Sequence, residues 1–550
     1  MTFSITRRTS LALGSAFALS AMTGGTRRAD AILVNGRITT MDPRMPDAQA
    51  LAIRDDRIFA VGTNSEILDL ASADTKRIDL EGKRVTPGIN DAHSHPIRSG
   101  VAHLRQVACD VNSIAEVKQR IADRVAKVAP GEWVLGFLYD DGKTERPVNR
   151  YDLDDVAPEN PVFIKHRGGH TAFVNSLALK LAGINDDTPN PVHGEFFRED
   201  GKLNGRVAEA GQAPFNALTA YEPTANDYCE GAAFISTMMA SKGITSVCDA
   251  SGGSMAMRGA LAALAQGRFH TRLYTHFYVR EIEQAIAAGL RSGFGNPWVK
   301  VGALKMAVDG SISERTAWLA EPYIGLDDFH GIPTMEEDEC YRYARMAHDA
   351  GWQLGIHANG ELAIDMVLRV FERVQREAPH KDPRFRIEHC TVLTPELIAR
   401  IKAIGAIPVL FAGYVYFHGP VMPFYGKKRL ERMFALRSLI DAGIVAAASS
   451  DYTASPPDPA MWFRSSVTRT DYEGHVWGPS QRVSLQEALA SATTAGAYAS
   501  FEETEKGRIA PGMFADLVVW EQDLFATPPE ALVNVRPQRT MAGGQWIYEA

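Results

Sequence analysis

The sequence predicts an α/β protein: a (β/α)8 barrel, with a small β-sandwich built from both chain ends and a large insertion after the first barrel strand. Three observations predict it. Apolar strand-like runs recur through the middle of the chain with helical stretches between them. Short alternating runs with tight turns crowd the two ends. One stretch near the front is too long to be a single strand-to-helix loop.

The central runs are residues 243–249, 272–279, 299–308, 352–357, 384–389, 406–411 and 444–451, after a first strand ending near His93. Helix-like sequence such as 336–350 or 395–404 follows them, and the units recur at roughly 30 residues each, the length of one βαβ repeat. An open doubly wound sheet is the competing fold. It often places a glycine-rich nucleotide loop after its first strand, whereas here histidines stand there. The ends read as β structure: AILVNGRITTMD offers a hairpin turn at Asn35-Gly36, with further turns at Asp55-Asp56, Glu81-Gly82 and Gly543-Gly544. Isolated hairpins are marginal, so the two ends are expected to form one unit, 29–86 with 506–550. The barrel is expected over 87–505, with an insertion at 98–240 covering its mouth.

Composition narrows the function. Lys plus Arg is 58 and Asp plus Glu is 66, a net charge of −8 without a long basic run, which argues against nucleic acid as the main partner; the expected partner is a small-molecule substrate. Cys109, Cys229, Cys248, Cys340 and Cys390 are far apart, without a C-x-x-C pair, so neither a disulfide framework nor a cysteine-ligated zinc site is expected. Residues 1–28 read as an export signal. Arg7-Arg8 precede a weakly apolar run, 11–22, shorter than the roughly 20 residues that cross a bilayer. The adjacent arginines favour the twin-arginine route, hence a periplasmic or secreted protein with no membrane span in its mature chain. A homodimer is compatible with everything read so far.

The chemistry sits at strand ends. His93 and His95 alternate on the first strand and share a face, which suits one metal ion. His357 ends WQLGIH, His389 ends RFRIEH and Asp451 ends IVAAASSD, at strands 5, 6 and 8, where barrel enzymes place catalytic groups. Lys305 lies within the apolar strand VGALKMAV. Either it pairs with Asp309 or reaches solvent, or burial lowers its pKa and the neutral amine takes up carbon dioxide. The resulting carbamate would have two oxygens able to bridge two cations. Tyr414, Tyr416, Phe417 and His418, after strand 7, offer a substrate wall or plain loop packing, and His276 ends strand 3 where it faces the pocket.

These residues resemble the amidohydrolase superfamily, in the branch that includes N-substituted formamide deformylase. The shared motifs are TPGINDAHSHP (86–96), RGGHTAFVNSLAL (167–179), LKMAVDGSISERTA (304–317), GIHANGE (355–361), RIEHC (386–390), SSDY (449–452) and KGRIAPGMFADLVVW (506–520). The resemblance implies two divalent metal ions, usually zinc. His93, His95 and Asp451 would hold one, His357 and His389 the other, with carboxylated Lys305 between them. It implies hydrolysis of a non-peptide carbon–nitrogen bond by a metal-bridging hydroxide, with Asp451 as general base and His170 and Asp309 facing the substrate. Asn90, Ser94, Gly169 and Glu361 depart from the usual residues at their motif positions. Two other readings remain: a mononuclear deaminase, which favours a His-x-x-Glu motif on strand 5 and needs no lysine, and a periplasmic binding protein without chemistry.

Overall fold

The computed structural model describes residues 28–219, 222–326 and 328–550, so the export signal with Arg7 and Arg8 lies outside the described residues. Eight parallel strands follow one another in space in chain order: β1 (Ile89–Ser94), β2 (Ile244–Asp249), β3 (Arg272–Tyr278), β4 (Val299–Ala307), β5 (Leu354–Ala358), β6 (Arg386–His389), β7 (Ile407–Phe411) and β8 (Ala447–Ser449). Nearly every residue in them is buried, as unbroken apolar runs require when helices cover the sheet. Hydrogen bonds just beyond the first and last strands bring the two edges together: Asp451 N–H donates to His93 O and His95 N–H to Tyr452 O, each at 2.8 Å. The register sets neighbours at the strand ends, with Ala307 beside His357, His357 beside Glu388 and Ala358 beside His389.

The covering helices carry ordinary start and stop signals. Helix α1 (Pro96–Arg105) begins on proline directly after His95. It crosses α2 (Ala225–Ala240) through Gly100 and Gly231; a Cβ on Gly100 would lie 2.1 Å from the Gly231 carbonyl oxygen, so the approach demands glycine. Helix α3 (Glu361–Glu377) buries Ile364, Val367, Phe371 and Val374 at three- and four-residue spacings. Helix α4 (Pro395–Ile404) is capped by Thr394 and stopped by Gly405 at φ 69°.

Between α1 and α2 the chain builds a six-stranded mixed sheet from residues 107–209, including Val134–Tyr139 and Val162–His166. Near the chain ends lie a four-stranded and a six-stranded sheet, and the second pairs 84–87 antiparallel with 517–520. Leu33, Ile38, Leu51, Ile53, Leu517, Val519 and Met541 form one apolar cluster drawn from both sheets. The hairpin expected at Asn35-Gly36 does not form. Asn35 adopts φ 58°, as its turn chemistry allows, but Ala31–Val34 pairs with 50–54 and 76–79 while Arg37–Thr39 pairs with 47–48 and 84–87. The turn passes the chain between sheets, because each flanking strand finds a longer-range partner. The turns at Asp55-Asp56 and Gly543-Gly544 do close hairpins.

One buried ion pair ties the barrel to the C-terminal strands. At the start of β3, Arg272 Nε and Nη2 donate to Asp516 at 2.7 and 3.0 Å, and Asp516 also accepts Gly543 N–H at 2.8 Å. The two side chains are 2% and 4% exposed, and the guanidinium lies 3.6 Å from the Phe514 ring centre. Asp516→Ala leaves the arginine buried and unpaired, so urea unfolding should show a loss of about 3–5 kcal/mol. A loss below about 1 kcal/mol would mean that the joint is held elsewhere.

Candidate metal centre

Six polar side chains predicted from scattered motifs meet at the C-terminal end of the barrel. His93 comes from β1, His95 from the residue before α1, Lys305 from β4, His357 from β5, His389 from the end of β6 and Asp451 from just past β8. Asp451 Oδ1 lies 3.2 Å from His95 Nε2 and 3.4 Å from His93 Nε2. Lys305 Nζ lies 3.5 Å from His93 Nε2. The His389 ring centre is 4.5 Å from those of both His93 and His357. His389 and Asp451 hold left-handed backbone conformations at φ 73° and 51°. Each costs on the order of 1–3 kcal/mol and persists where the surrounding structure over-determines it.

A second layer fixes these rings. His93 Nδ1–H donates to Glu388 Oε2 at 2.6 Å, and Glu388 is in turn gripped by Arg386, whose Nε donates at 2.7 Å. Arg386 also donates to the Ala92 carbonyl at 2.6 Å, tying β6 to β1 through the barrel interior. His95 Nδ1 is 2.9 Å from Ser251 Oγ. His357 Nε2 is 3.1 Å from the Gly310 carbonyl oxygen. The His389 ring stacks on Phe411, 4.2 Å between centres and 11° between planes. Asp309 is fully buried, its oxygens taken by the backbone N–H groups of Trp318, Asn359 and Gly360 at 2.8–2.9 Å, with His357 Nε2 3.4 Å away. It therefore braces the loop beside His357. Lys305 does not pair with it.

The electrostatics favour neutral donors. Burial pushes His93 and His389 well below the ordinary histidine range. Burial lowers the Lys305 ammonium against the opposing pull of Glu388 and Asp451. Burial also opposes ionisation of Glu388, but Arg386 holds it below the usual carboxylate value. Asp91, within β1, is pushed to about 7 by burial despite hydrogen bonds from Ser450. With the His93 proton committed to Glu388, the Nε2 lone pair faces the Asp451 carboxylate. His389 Nδ1 is buried and without a hydrogen-bond partner. Acceptors turned toward one another and an orphaned imidazole nitrogen form a donor set that suits a divalent cation.

The insertion supplies the roof. His170 lies beside His357, 5.3 Å between ring centres, and its Nδ1 is 2.9 Å from Glu209. Burial opposes charge on His170, yet the Glu209 carboxylate raises its pKa to about 9. Gly169, where the motif usually has aspartate, sits at φ +82° in a turn closed by its N–H to the His166 carbonyl. Below the turn, buried His166 lies between Asp141 at 3.3 Å and Glu314 at 3.4 Å, and Arg315 reaches Asp141. Burial resists, but these carboxylates raise His166 to about 10. This charged knot pins the insertion to the loop after β4. Tyr414 and His418 pack into the structure: Tyr414 Oη accepts Ser313 N–H at 2.9 Å, and His418 Nε2 lies 2.9 Å from the Ala454 carbonyl oxygen. His276 sits inside the barrel, 3.1 Å from Cys248 Sγ.

Sequence reasoning missed Glu388, Arg386, Ser251, Glu209 and the His166 knot. Arg386 and Glu388 alternate within a buried strand, a charge pair visible in RIEH. Glu209 has no local signal.

Residues 76–548 match the family model described as the amidohydrolase family. N-substituted formamide deformylase of Arthrobacter pascens is 28% identical over 95% of this chain and 99% of its own length. The putative amidohydrolase YtcJ of Bacillus subtilis is 28% identical over 94% and 99%. The crystal structure of an uncharacterized metal-dependent hydrolase from Pyrococcus furiosus superposes with a TM-score of 0.71 at 25% identity, covering 91% of this chain and 99% of that one. An eight-stranded barrel with a histidine- and aspartate-rich mouth, and a family match over most of its length, place this chain in the amidohydrolase family of hydrolases.

Proposed function

We propose that the protein hydrolyses carbon–nitrogen bonds other than peptide bonds, in N-formyl, N-acyl or amide compounds. The observation that carries this reading is Asp451, a carboxylate set between two histidine Nε2 atoms with its backbone fixed to β1. His93, His95 and Asp451 would hold one divalent ion, zinc by the character of its nitrogen and oxygen donors, and His357 and His389 a second. Lys305 would complete the set as a carbamate: Nζ bonds to the carbon of carbon dioxide, and one proton leaves. When bound, such a metal pair lowers the pKa of water and polarises a carbonyl.

The chain's own groups account for the rest. Glu388 keeps the His93 proton on Nδ1, so that Nε2 remains a donor of electrons. The Asp451 carboxylate takes a proton from water and passes it to the departing nitrogen. His170, held by Glu209, offers its Nε2 side to the substrate oxygen. A cleft of about 780 Å³, lined in part by Gly168 and Gly169, reaches the centre at His95 and suits a small molecule. The Arthrobacter relative, named for its action on substituted formamides, makes N-formyl amines the first compounds to try.

Amine release from a panel of N-formyl and N-acyl compounds should be detectable with zinc-loaded protein. Asp451→Asn should lower kcat by about 10²–10⁴-fold. No turnover on any compound, or full turnover in the variant, would overturn the reading. Lys305→Ala should lose the second metal; two full zinc equivalents by elemental analysis would refute the lysine bridge. Arg7-Arg8 supports export by the twin-arginine route to the periplasm or beyond. Converting both arginines to lysine should leave the precursor in the cytoplasmic fraction, and unchanged export would exclude that route.

A further inference from the structure

The cleft that reaches His95 has two unlike parts. One wall is apolar, with Trp133, Leu135, Phe137 and Phe163 presented by the insertion sheet. Beside it stand positive charges. Lys165 shares the Phe163 face of its strand, with Nζ 5.4 Å from that ring centre, and is half-buried. Arg98 projects from the first turn of α1, three residues after His95. Arg105, which also lines the cleft, donates to Asp227. Neither Lys165 nor Arg98 has a carboxylate within 4.0 Å among the described residues, although Glu222, exposed, lines the same cleft. Burial, with the Arg98 charge adding to it, lowers Lys165 to about 8. A partly desolvated ammonium without a counter-charge is costly, and a cleft rarely keeps one unless something negative enters.

We propose that this cleft is a substrate subsite for a carboxylate, with Lys165 as its principal counter-charge, Arg98 as a second, and the aromatic wall holding an apolar spacer between the carboxylate and the scissile bond. The site would thus take N-acyl or N-formyl compounds that carry an acid group on an aromatic or alkyl body. The inference rests on the hydrolase reading for the scissile end of the substrate. The carboxylate end rests on the cleft alone.

The test separates the two. Binding of 3-phenylpropionate and of neutral 3-phenylpropan-1-ol to the zinc-loaded protein is measured by calorimetry at neutral pH and low salt. Neither probe has a bond to hydrolyse. The acid should bind about tenfold more tightly, the order of one charge-assisted hydrogen bond. Lys165→Met, which keeps the apolar stem, should abolish the preference; Lys165→Arg should keep it, and Arg98→Gln should reduce it. Equal binding of the two probes by the wild-type protein overturns the subsite. So does a preference that survives Lys165→Met, which would mean that the acid is held at the metal centre. Discrimination lost in Lys165→Met, in a protein that hydrolyses no N-formyl or N-acyl compound, would uphold the subsite and sink the hydrolase reading.

Discussion

A buried carboxylate on β6 sets the polarity of the whole site. Glu388 is surrounded by Arg386, His93 and the barrel interior, with no water-exposed surface. A charge in that position survives only because a guanidinium neutralises it and its acceptor capacity is filled. Its hydrogen bond fixes the His93 tautomer. From that follow the direction of the Nε2 lone pair and its opposition to the Asp451 carboxylate, an arrangement that suits a cation between them. The same arginine donates to the Ala92 carbonyl, so the pair that orients the histidine also ties its strand to β6.

This arrangement explains why donors spread over so much of the chain share one small volume. Parallel strands put their carboxyl ends on one face, and the register places Ala307, His357, Glu388 and His389 side by side. The remaining placement comes from left-handed residues at the ends of β6 and β8, which turn His389 and Asp451 out of plain strand geometry. That backbone strain is held by rigid packing: Phe411 beneath the His389 ring, and hydrogen bonds from the backbone of Asp451 and His95 across the barrel edge.

Much of this was legible in the sequence, for physical reasons. Buried parallel strands need unbroken apolar runs, so all eight barrel strands stood out, and a polar residue closing such a run must be paired or functional. His357, His389 and Asp451 were read that way, His93 and His95 from their alternation on the first strand, and Lys305 from its place inside such a run. What the pattern hid were contacts between distant segments. Asn35-Gly36 reads as a hairpin because its turn chemistry is local, whereas the choice of partner strand is not. Asp309 reads as a substrate group until its two oxygens are seen to be filled by backbone donors of the β5 loop and Trp318. Glu209, His166 and Asp141 belong to an insertion whose docking onto the barrel, through Glu314 and Arg315, leaves no periodicity to read.

The barrel thereby separates two demands that would otherwise compete. At its N-terminal end Arg272 and Asp516 form a closed pair whose groups are satisfied and dry, a joint with nothing left to offer a ligand. At the opposite end the polar groups are left partly unsatisfied: His389 Nδ1 is orphaned, and Lys165 lacks a carboxylate partner among the described residues. Satisfied charge holds the fold, and these unpartnered polar groups gather where the proposed ions and substrate would enter. The insertion can therefore reshape the mouth, setting what enters, without loosening the interior that fixes the donors.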